Sequence, residues 1–336
     1  MKHDDFIYQA HDFLDAVFEQ LFKKKVVLPQ NWSIDHICFR VPSEERYQFF
    51  VKAFAEFADL LIESPVNGRL ISTFKLRQPI CYFGRRIDLL ELPAPKPHKE
   101  TPEGFEHFEV VCDKSFAEIK EMYRTLEFDE AGSKKTFNSE LELVLEGCAV
   151  KFHHLSLESV VTLEKNKRVF DALCDLRILE TLAPFRPQVA GTFPLGIETE
   201  GSDVDIVMGS PDFDEMEKAL RQNFSTCEKF QFHKAELSGE PGLVCSFEFH
   251  GIPFEVVGQN KESVRQPAYQ HFQVEERLLK VGGPSLREKI LVLRKRGVKT
   301  EPAFGEVLKI VGDPYETLSR WHSASEEQLE QRIFQK

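Results

Sequence analysis

Two stretches of this chain repeat one another, and that repeat limits the available folds more than any other feature. The first unit runs Asp35-His36-Ile37-Cys38-Phe39-Arg40-Val41, followed by a helical pattern over 44–60 with Tyr47, Phe50, Phe54 and Phe57 on one face. Apolar runs at Ile71–Leu76 and Ile87–Leu92 complete it. The second unit runs Phe105-Glu106-His107-Phe108-Glu109-Val110-Val111, a helical pattern over 115–126, then Glu140–Leu145 and Ala149–His153. Each reads strand, helix, then two or three strands. Side chains alternate along a strand, so Ile37, Phe39, Phe108 and Val110 share the apolar side, while His36, Cys38, His107 and Glu109 share the polar one. Arg40 and Glu109, on those polar faces, either bind a substrate anion or pair with each other. Ahead of the repeat, residues 5–24 place Phe6, Ala10, Phe13, Leu14, Val17, Phe18 and Leu21 at helical spacing. Lys23-Lys24-Lys25 then puts cations at the favourable end of the dipole. Between the units, Pro93-Ala94-Pro95-Lys96-Pro97 reads as a semi-rigid spacer that cannot continue a sheet.

The second half is organised around Gly191-Thr192-Phe193-Pro194-Leu195-Gly196 and Gly201-Ser202-Asp203-Val204-Asp205-Ile206. In a strand Asp203 and Asp205 point the same way, roughly 7 Å apart along the chain, with Val204 and Ile206 turned into a core. Two such carboxylates are costly to hold together without cations. A pair of Mg²⁺ ions about 3.5–4 Å apart, clamping nucleotide phosphates, is the natural tenant. Gly191 lets backbone approach an anionic group, and Thr192 can donate its hydroxyl to a phosphate oxygen. Gly201 and Ser202 belong to the same nucleotide-facing loop. A helix over 213–222 and two hairpin strands, Leu243–Phe249 and Ile252–Val257, follow. Residues 285–299 carry Arg287, Lys289, Arg294, Lys295, Arg296 and Lys299 as a solvated face, or as a surface for triphosphate or an RNA acceptor.

At 336 residues, two domains are expected, and the polar segment near Thr162–Lys167 divides them into 1–163 and 164–336. A formal charge of −12 argues against a general nucleic-acid surface. Seven scattered cysteines, with no C-x-x-C pair, fit a reduced, cytoplasmic compartment. No signal peptide and no membrane-spanning apolar run is expected.

The duplicated βαβββ pattern resembles the vicinal oxygen chelate superfamily, the glyoxalase and ring-cleaving dioxygenase fold. Its motifs are closer to the YecM-like family: Asp35-His36-Ile37, Asn67-Gly68-Arg69, Phe74-Lys75-Leu76, Glu91-Leu92-Pro93, Glu106-His107 and Lys151-Phe152-His153, over roughly residues 5–163. The resemblance implies metal ligands from the first and last strand of each repeat: His36 and Glu91, then His107 and His153. That donor set suits Zn²⁺, Fe²⁺, Ni²⁺ or Mn²⁺ with open positions for a small, oxygen-rich molecule. Adjacent residues face opposite ways, so either His153 or His154 points inward, and the Lys-Phe-His match favours His153.

The Gly191–Ile206 stretch resembles the nucleotidyltransferase signature of the polymerase-β-like superfamily, with Gly191-Thr192 where Gly-Gly or Gly-Ser is usual. The resemblance implies a third carboxylate on a later strand, matched by Glu255 or by Glu248 on the preceding strand. Together with Lys299–Phe304 and Gly312–Tyr315, residues 164–320 resemble an uncharacterised bacterial family with that fold. The expected architecture is therefore α+β: a duplicated βαβββ domain, then an α/β nucleotidyltransferase-like domain. The leading expectation is Mg²⁺-dependent transfer of a nucleotide from an NTP to an acceptor, with Asp203, Asp205 and Glu255 catalytic. The alternatives are a metal-dependent lyase, isomerase or dioxygenase in the first domain, and a non-catalytic binding or regulatory protein.

Overall fold

The structure, a computed structural model, describes residues 2–66, 68–96, 101–135 and 137–334. Asn67 of the Asn67-Gly68-Arg69 motif and Pro97 of the proline segment lie outside the described residues. Contacts divide the chain into two units, Met1–Cys112 with Phe116–Leu157, and Asp113–Ser115 with Glu158–Lys336.

In the first unit, α1 (His3–Lys23) buries Phe6, Ala10, Leu14, Val17 and Leu21, a stripe of three- and four-residue steps. The repeat follows as β1 (Ser33–Arg40), α2 (Glu44–Phe54), β2 (Ala58–Val66), β3 (Arg69–Tyr82) and β4 (Arg85–Pro93). The second copy is β5 (Gly104–Val111), α3 (Phe116–Met122), β6 (Phe128–Asp129), β7 (Leu141–Val144) and β8 (Ala149–His153). All eight strands form one sheet in the order β2-β3-β4-β1-β5-β8-β7-β6. Each copy contributes an identically ordered half, with β1 parallel to β4 and β5 parallel to β8. The halves meet where β1 and β5 pair antiparallel. Ile37, Phe39, Phe108 and Val110 enter a core with α1 and α2 residues, as the alternation required.

Two local readings are corrected. The helix read over 44–60 stops at Phe54, and the chain is already extended at Ala58. Phe57 keeps helical spacing but sits in the turn, packed on Phe6 and Phe54. Pro93 does not leave the sheet: it is the last residue of β4, opposite Ile71, and Ala94 N–H still donates to Leu70 O at 2.8 Å.

The second unit begins with α4 (Leu157–Lys165), α5 (Lys167–Leu176) and α6 (Ile178–Thr181), Leu157 itself falling to the first unit. Then come β9 (Gln188–Ala190), α7 (Thr192–Leu195), β10 (Val204–Gly209), α8 (Phe213–Phe224), β11 (Glu228–Leu237), β12 (Glu240–Phe249) and β13 (Ile252–Gln259). Their sheet has the order β11-β12-β13-β10-β9. Next to the edge, β10 runs parallel to β13 and antiparallel to β9. Burial of Val204, Ile206, Val207 and Met208 fits a strand covered on both faces. The helix α9 (Pro267–Arg294) breaks at Gly283 (φ 63°, ψ −162°), just before Pro284. The chain closes with α10 (Thr300–Leu308), α11 (Pro314–Trp321) and α12 (Glu326–Phe334). The whole is mixed α+β, a duplicated βαβββ unit followed by an α/β unit. Among the described residues no helix is long and apolar enough to cross a membrane.

Candidate metal centres

The polar face of the first sheet gathers three imidazoles. Register sets Glu109 opposite His36, His107 opposite Cys38, and Glu91 opposite Cys38 on the other side. His153 ends β8, opposite Val111. His36, His107 and His153 are only 2%, 2% and 1% exposed. His154 turns away and stacks on Phe116 with centroids 4.8 Å apart. His153 is thus the inward residue of the pair.

Each imidazole is held by its Nδ1. His36 Nδ1 donates to Asp35 Oδ2 at 3.0 Å, His107 Nδ1 to Glu106 Oε2 at 3.1 Å, and His153 Nδ1 to Leu155 O at 2.7 Å. Neighbours on a regular strand point to opposite faces, so Asp35–His36 and Glu106–His107 bonds need an irregularity. The β1–β5 ladder supplies one at each place. Pairing jumps from Ile34 to His36, leaving Asp35 as the extra residue, and from His107 to Phe105, leaving Glu106 extra. A bulge re-aims a side chain in this way. With Nδ1–H engaged, a neutral ring carries its lone pair on Nε2.

All three Nε2 atoms are buried and, among the described residues, lack a hydrogen-bond partner. All three face the Glu109 carboxylate: His107 Nε2 is 3.3 Å and His36 Nε2 3.6 Å from Oε1, and His153 Nε2 is 3.8 Å from Oε2. Lys151 Nζ lies 3.6 Å from Oε1 and 3.1 Å from Glu140 Oε1. Burial lowers an imidazole, but the Glu109 charge and Asp35 reverse this, raising His36 well above its usual range. His107 is raised against burial as well, by Cys38, Glu106 and Glu109. Glu109 is drawn well below the usual carboxylate range against its burial, chiefly by His36 and His107. Such a field attracts positive charge, whether proton or cation. Donor atoms of His36, Glu91 and His107 also come within 4.8 Å of one another, as do those of Cys38, Glu106 and His107. Arg40 pairs with Glu106 at 2.5 Å, not with Glu109.

In the second unit the carboxylates of Asp203, Asp205 and Glu255 come within 4.8 Å of one another. Asp203 precedes β10, Asp205 lies on it, and Glu255 is directly opposite Asp205 on β13. Glu248 sits opposite Pro253 and is ion-paired to Lys229. Asp205 is raised well above the usual range, first by burial and then by the charges of Asp203, Glu255 and Glu301. Glu255 is raised by burial and Asp203. An oxygen-only set strained by mutual repulsion fits a hard divalent cation.

Gly191 adjoins this cluster with φ 75° and ψ −154°. A Cβ there would stand 1.7 Å from Asp205 Oδ2. Thr192 follows, buried, at the first position of α7. Gly201 has φ 82° and open space around its Cα. Ser202 Oγ accepts from Thr199 N–H at 2.9 Å, so this hydroxyl closes its own turn. Within the basic run, Arg287 donates to Leu195 O and Arg294 Nη1 to Val298 O at 3.0 Å, while Lys289, Lys295 and Arg296 stay exposed.

Comparison with known proteins follows the division in the chain. A Haemophilus influenzae protein described only as uncharacterized is 33% identical over 100 residues, 29% of this chain and 52% of that protein. The chain thus spans about half the length of that relative. Protein YecM of Escherichia coli is 26% identical over 147 residues, 39% of this chain and 78% of its own. Among solved structures, Protein EC4020 is 22% identical, covering 48% of this chain and 92% of that one, with TM-score 0.41. A Streptomyces coelicolor methylmalonyl-CoA epimerase is 17% identical over 37% of this chain and 97% of that one, TM-score 0.29. The Cid1 poly(U) polymerase is 15% identical over 49% of each chain, TM-score 0.31. The chain joins a region matching the family described as YecM protein, residues 2–164, to one matching the domain of unknown function DUF4269, residues 171–321.

Proposed function

We propose that the second unit transfers a nucleotide from an NTP to an acceptor hydroxyl. The observation that carries this reading is the meeting of Asp203, Asp205 and Glu255 beside a glycine that leaves room for nothing but Asp205. Asp203 and Asp205 would hold Mg²⁺, which when bound neutralises triphosphate charge. Glu255, raised by burial and by Asp203, takes the acceptor proton or completes the metal shell. Gly191 keeps backbone close to the phosphates, and Thr192 offers a hydroxyl donor. The test is thermal shift with NTPs, with and without Mg²⁺, on wild type and on Asp203→Asn/Asp205→Asn. A Mg²⁺-dependent shift confined to wild type is expected. An unchanged shift in the double variant rules the assignment out.

A second reading has its own observation, the three buried Nε2 atoms without partners. Their fit to imidazole-binding divalent metals supports metal-dependent lyase, isomerase or dioxygenase chemistry on a small oxygen-rich metabolite in the first unit. His36, His107 and His153, with Glu91 as the carboxylate the family resemblance implies, would hold Zn²⁺, Fe²⁺, Ni²⁺ or Mn²⁺. The cation would act as a Lewis acid toward substrate oxygens. Metal analysis of the purified chain tests this, and a chain that takes up none of the four metals removes the site.

A further inference from the structure

We propose that Glu109 is the carboxylate ligand closing a three-histidine site for a borderline divalent cation, with Lys151 as its counter-charge when the cation is absent. The inference rests on the metal reading of the first unit and changes its donor set.

Each Nδ1–H is already given away, to Asp35, Glu106 and the Leu155 carbonyl. That leaves three Nε2 atoms directed at one carboxylate, and in any neutral ring lone pair then faces lone pair. Acceptors facing acceptors in a buried pocket are unfavourable unless something positive sits between them. The separations of 3.3, 3.6 and 3.8 Å leave the Nε2 atoms without hydrogen bonds to Glu109.

Glu109 and Glu91 differ in reach. Glu91 groups with His36 and His107, whereas Glu109 faces both of these and His153. It is also the more deeply placed, buried where Glu91 is half-exposed. Asp35 Oδ2 lies 3.5 Å from His153 Nε2 and groups with His36 and His153, but its contact to His36 is at Nδ1, so Glu109 is the carboxylate that faces all three Nε2 atoms. The surrounding charges allow the exchange. Lys151, 3.6 Å from Glu109, also has Glu140 at 3.1 Å and Glu142 at 3.9 Å, so it keeps partners when Glu109 turns to a metal. Three nitrogen donors and one oxygen select Zn²⁺, Co²⁺, Fe²⁺ or Ni²⁺ over Mg²⁺ or Ca²⁺.

The probe is Co²⁺, added to the metal-stripped full-length chain carrying Asp203→Asn/Asp205→Asn to silence the other cluster. Binding is read by visible ligand-field absorption and by the shift in melting temperature. One Co²⁺ per chain is expected. Glu109→Gln should weaken binding by more than about 100-fold, beyond what loss of an outer-shell partner costs. Glu91→Gln should cost less, no more than the roughly 10–100-fold that loss of an outer partner costs. Glu109→Asp, which keeps the charge but shortens the reach, covers the case where Glu109→Gln fails to fold; its absorption band should weaken and shift. The proposal is overturned if Glu91→Gln abolishes the band while both Glu109 variants bind as the parent does. If the parent itself takes up no Co²⁺, the metal reading of the unit falls as well.

Discussion

An alanine at position 191 would meet Asp205 Oδ2 at 1.7 Å, and its backbone would have to hold φ 75° and ψ −154°, a region reserved for glycine. Either the carboxylate swings out of the cluster or the β9–α7 turn moves. Gly191→Ala is therefore expected to cost about 1–3 kcal/mol. In a unit of this size that is a fall of roughly 2–10 °C in Tm. It should also abolish any Mg²⁺-dependent nucleotide shift. A variant that melts normally and still binds nucleotide would show that the close packing of Gly191 on Asp205 is incidental. Asp205→Asn acts in the opposite direction on the metal-free protein. Burial, Asp203, Glu255 and Glu301 all oppose ionisation of Asp205, and Arg294 offsets only part of this. Removing the charge should leave the apo melting temperature at neutral pH unchanged or higher, read by calorimetry in chelator. A clear loss of stability would mean that the carboxylate is satisfied without a cation.

At the scale of elements, alternation carried much of the first unit. The apolar sides of β1 and β5 were legible because Ile37, Phe39, Phe108 and Val110 repeat with period two. The two acid–histidine pairs were visible as sequence, but not their bonds, because strict alternation puts Asp35 opposite His36 in direction. Only the register shifts of the β1–β5 ladder bring each pair together. Glu109 was placed on the polar face, yet its contacts depend on which strand lies beside β5, which spacing does not encode. The strand β11 escapes a sequence reading because none of its residues is fully buried and its half-buried positions, Phe230 and Phe232 then Ala235 and Leu237, break the two-residue step between them. The helical bundle after β13 offers a test of its own. The His322 ring donates from Nε2 to Gln273 Oε1 at 2.9 Å. Burial first, then the nearby Arg277 charge, lower it to about 4, with Arg265 and His271 adding to this and Asp113 opposing. The unfolded chain titrates near 6.5 and so binds the proton first as pH falls. Stability from this group is present above about pH 6.5 and lost toward pH 4. Between pH 7 and pH 5 the loss is roughly 2 kcal/mol. In His322→Gln that part of the pH dependence should vanish, as measured by urea midpoints at both pH values. An equal decline in the two proteins would exonerate His322.

On the scale of the whole chain, the two units differ in the chemistry of the charge they collect. The first presents imidazole nitrogens braced by carboxylates; the second presents carboxylate oxygens alone. Hard cations dehydrate reluctantly and prefer the oxygen set, whereas borderline metals gain from nitrogen donors. A net charge of −12 argues separately against a general polyanion-binding surface. The expected behaviour is a double dissociation in the intact, metal-stripped protein. Millimolar Mg²⁺ should leave a Co²⁺ absorption band in place, because Mg²⁺ competes poorly for imidazole. Asp203→Asn/Asp205→Asn should lose the Mg²⁺-dependent nucleotide shift and keep the Co²⁺ band. His107→Ala/His153→Ala should lose the band and keep the nucleotide shift. Should the aspartate pair prove to erase the Co²⁺ band, the band arises at the carboxylates and the three imidazoles are merely buried polar groups. If the histidine pair instead erases the nucleotide shift, the second cluster does not act through its own carboxylates alone. Absorption and thermal-shift titrations on the same four samples, wild type with and without Mg²⁺ and the two double variants, separate these outcomes.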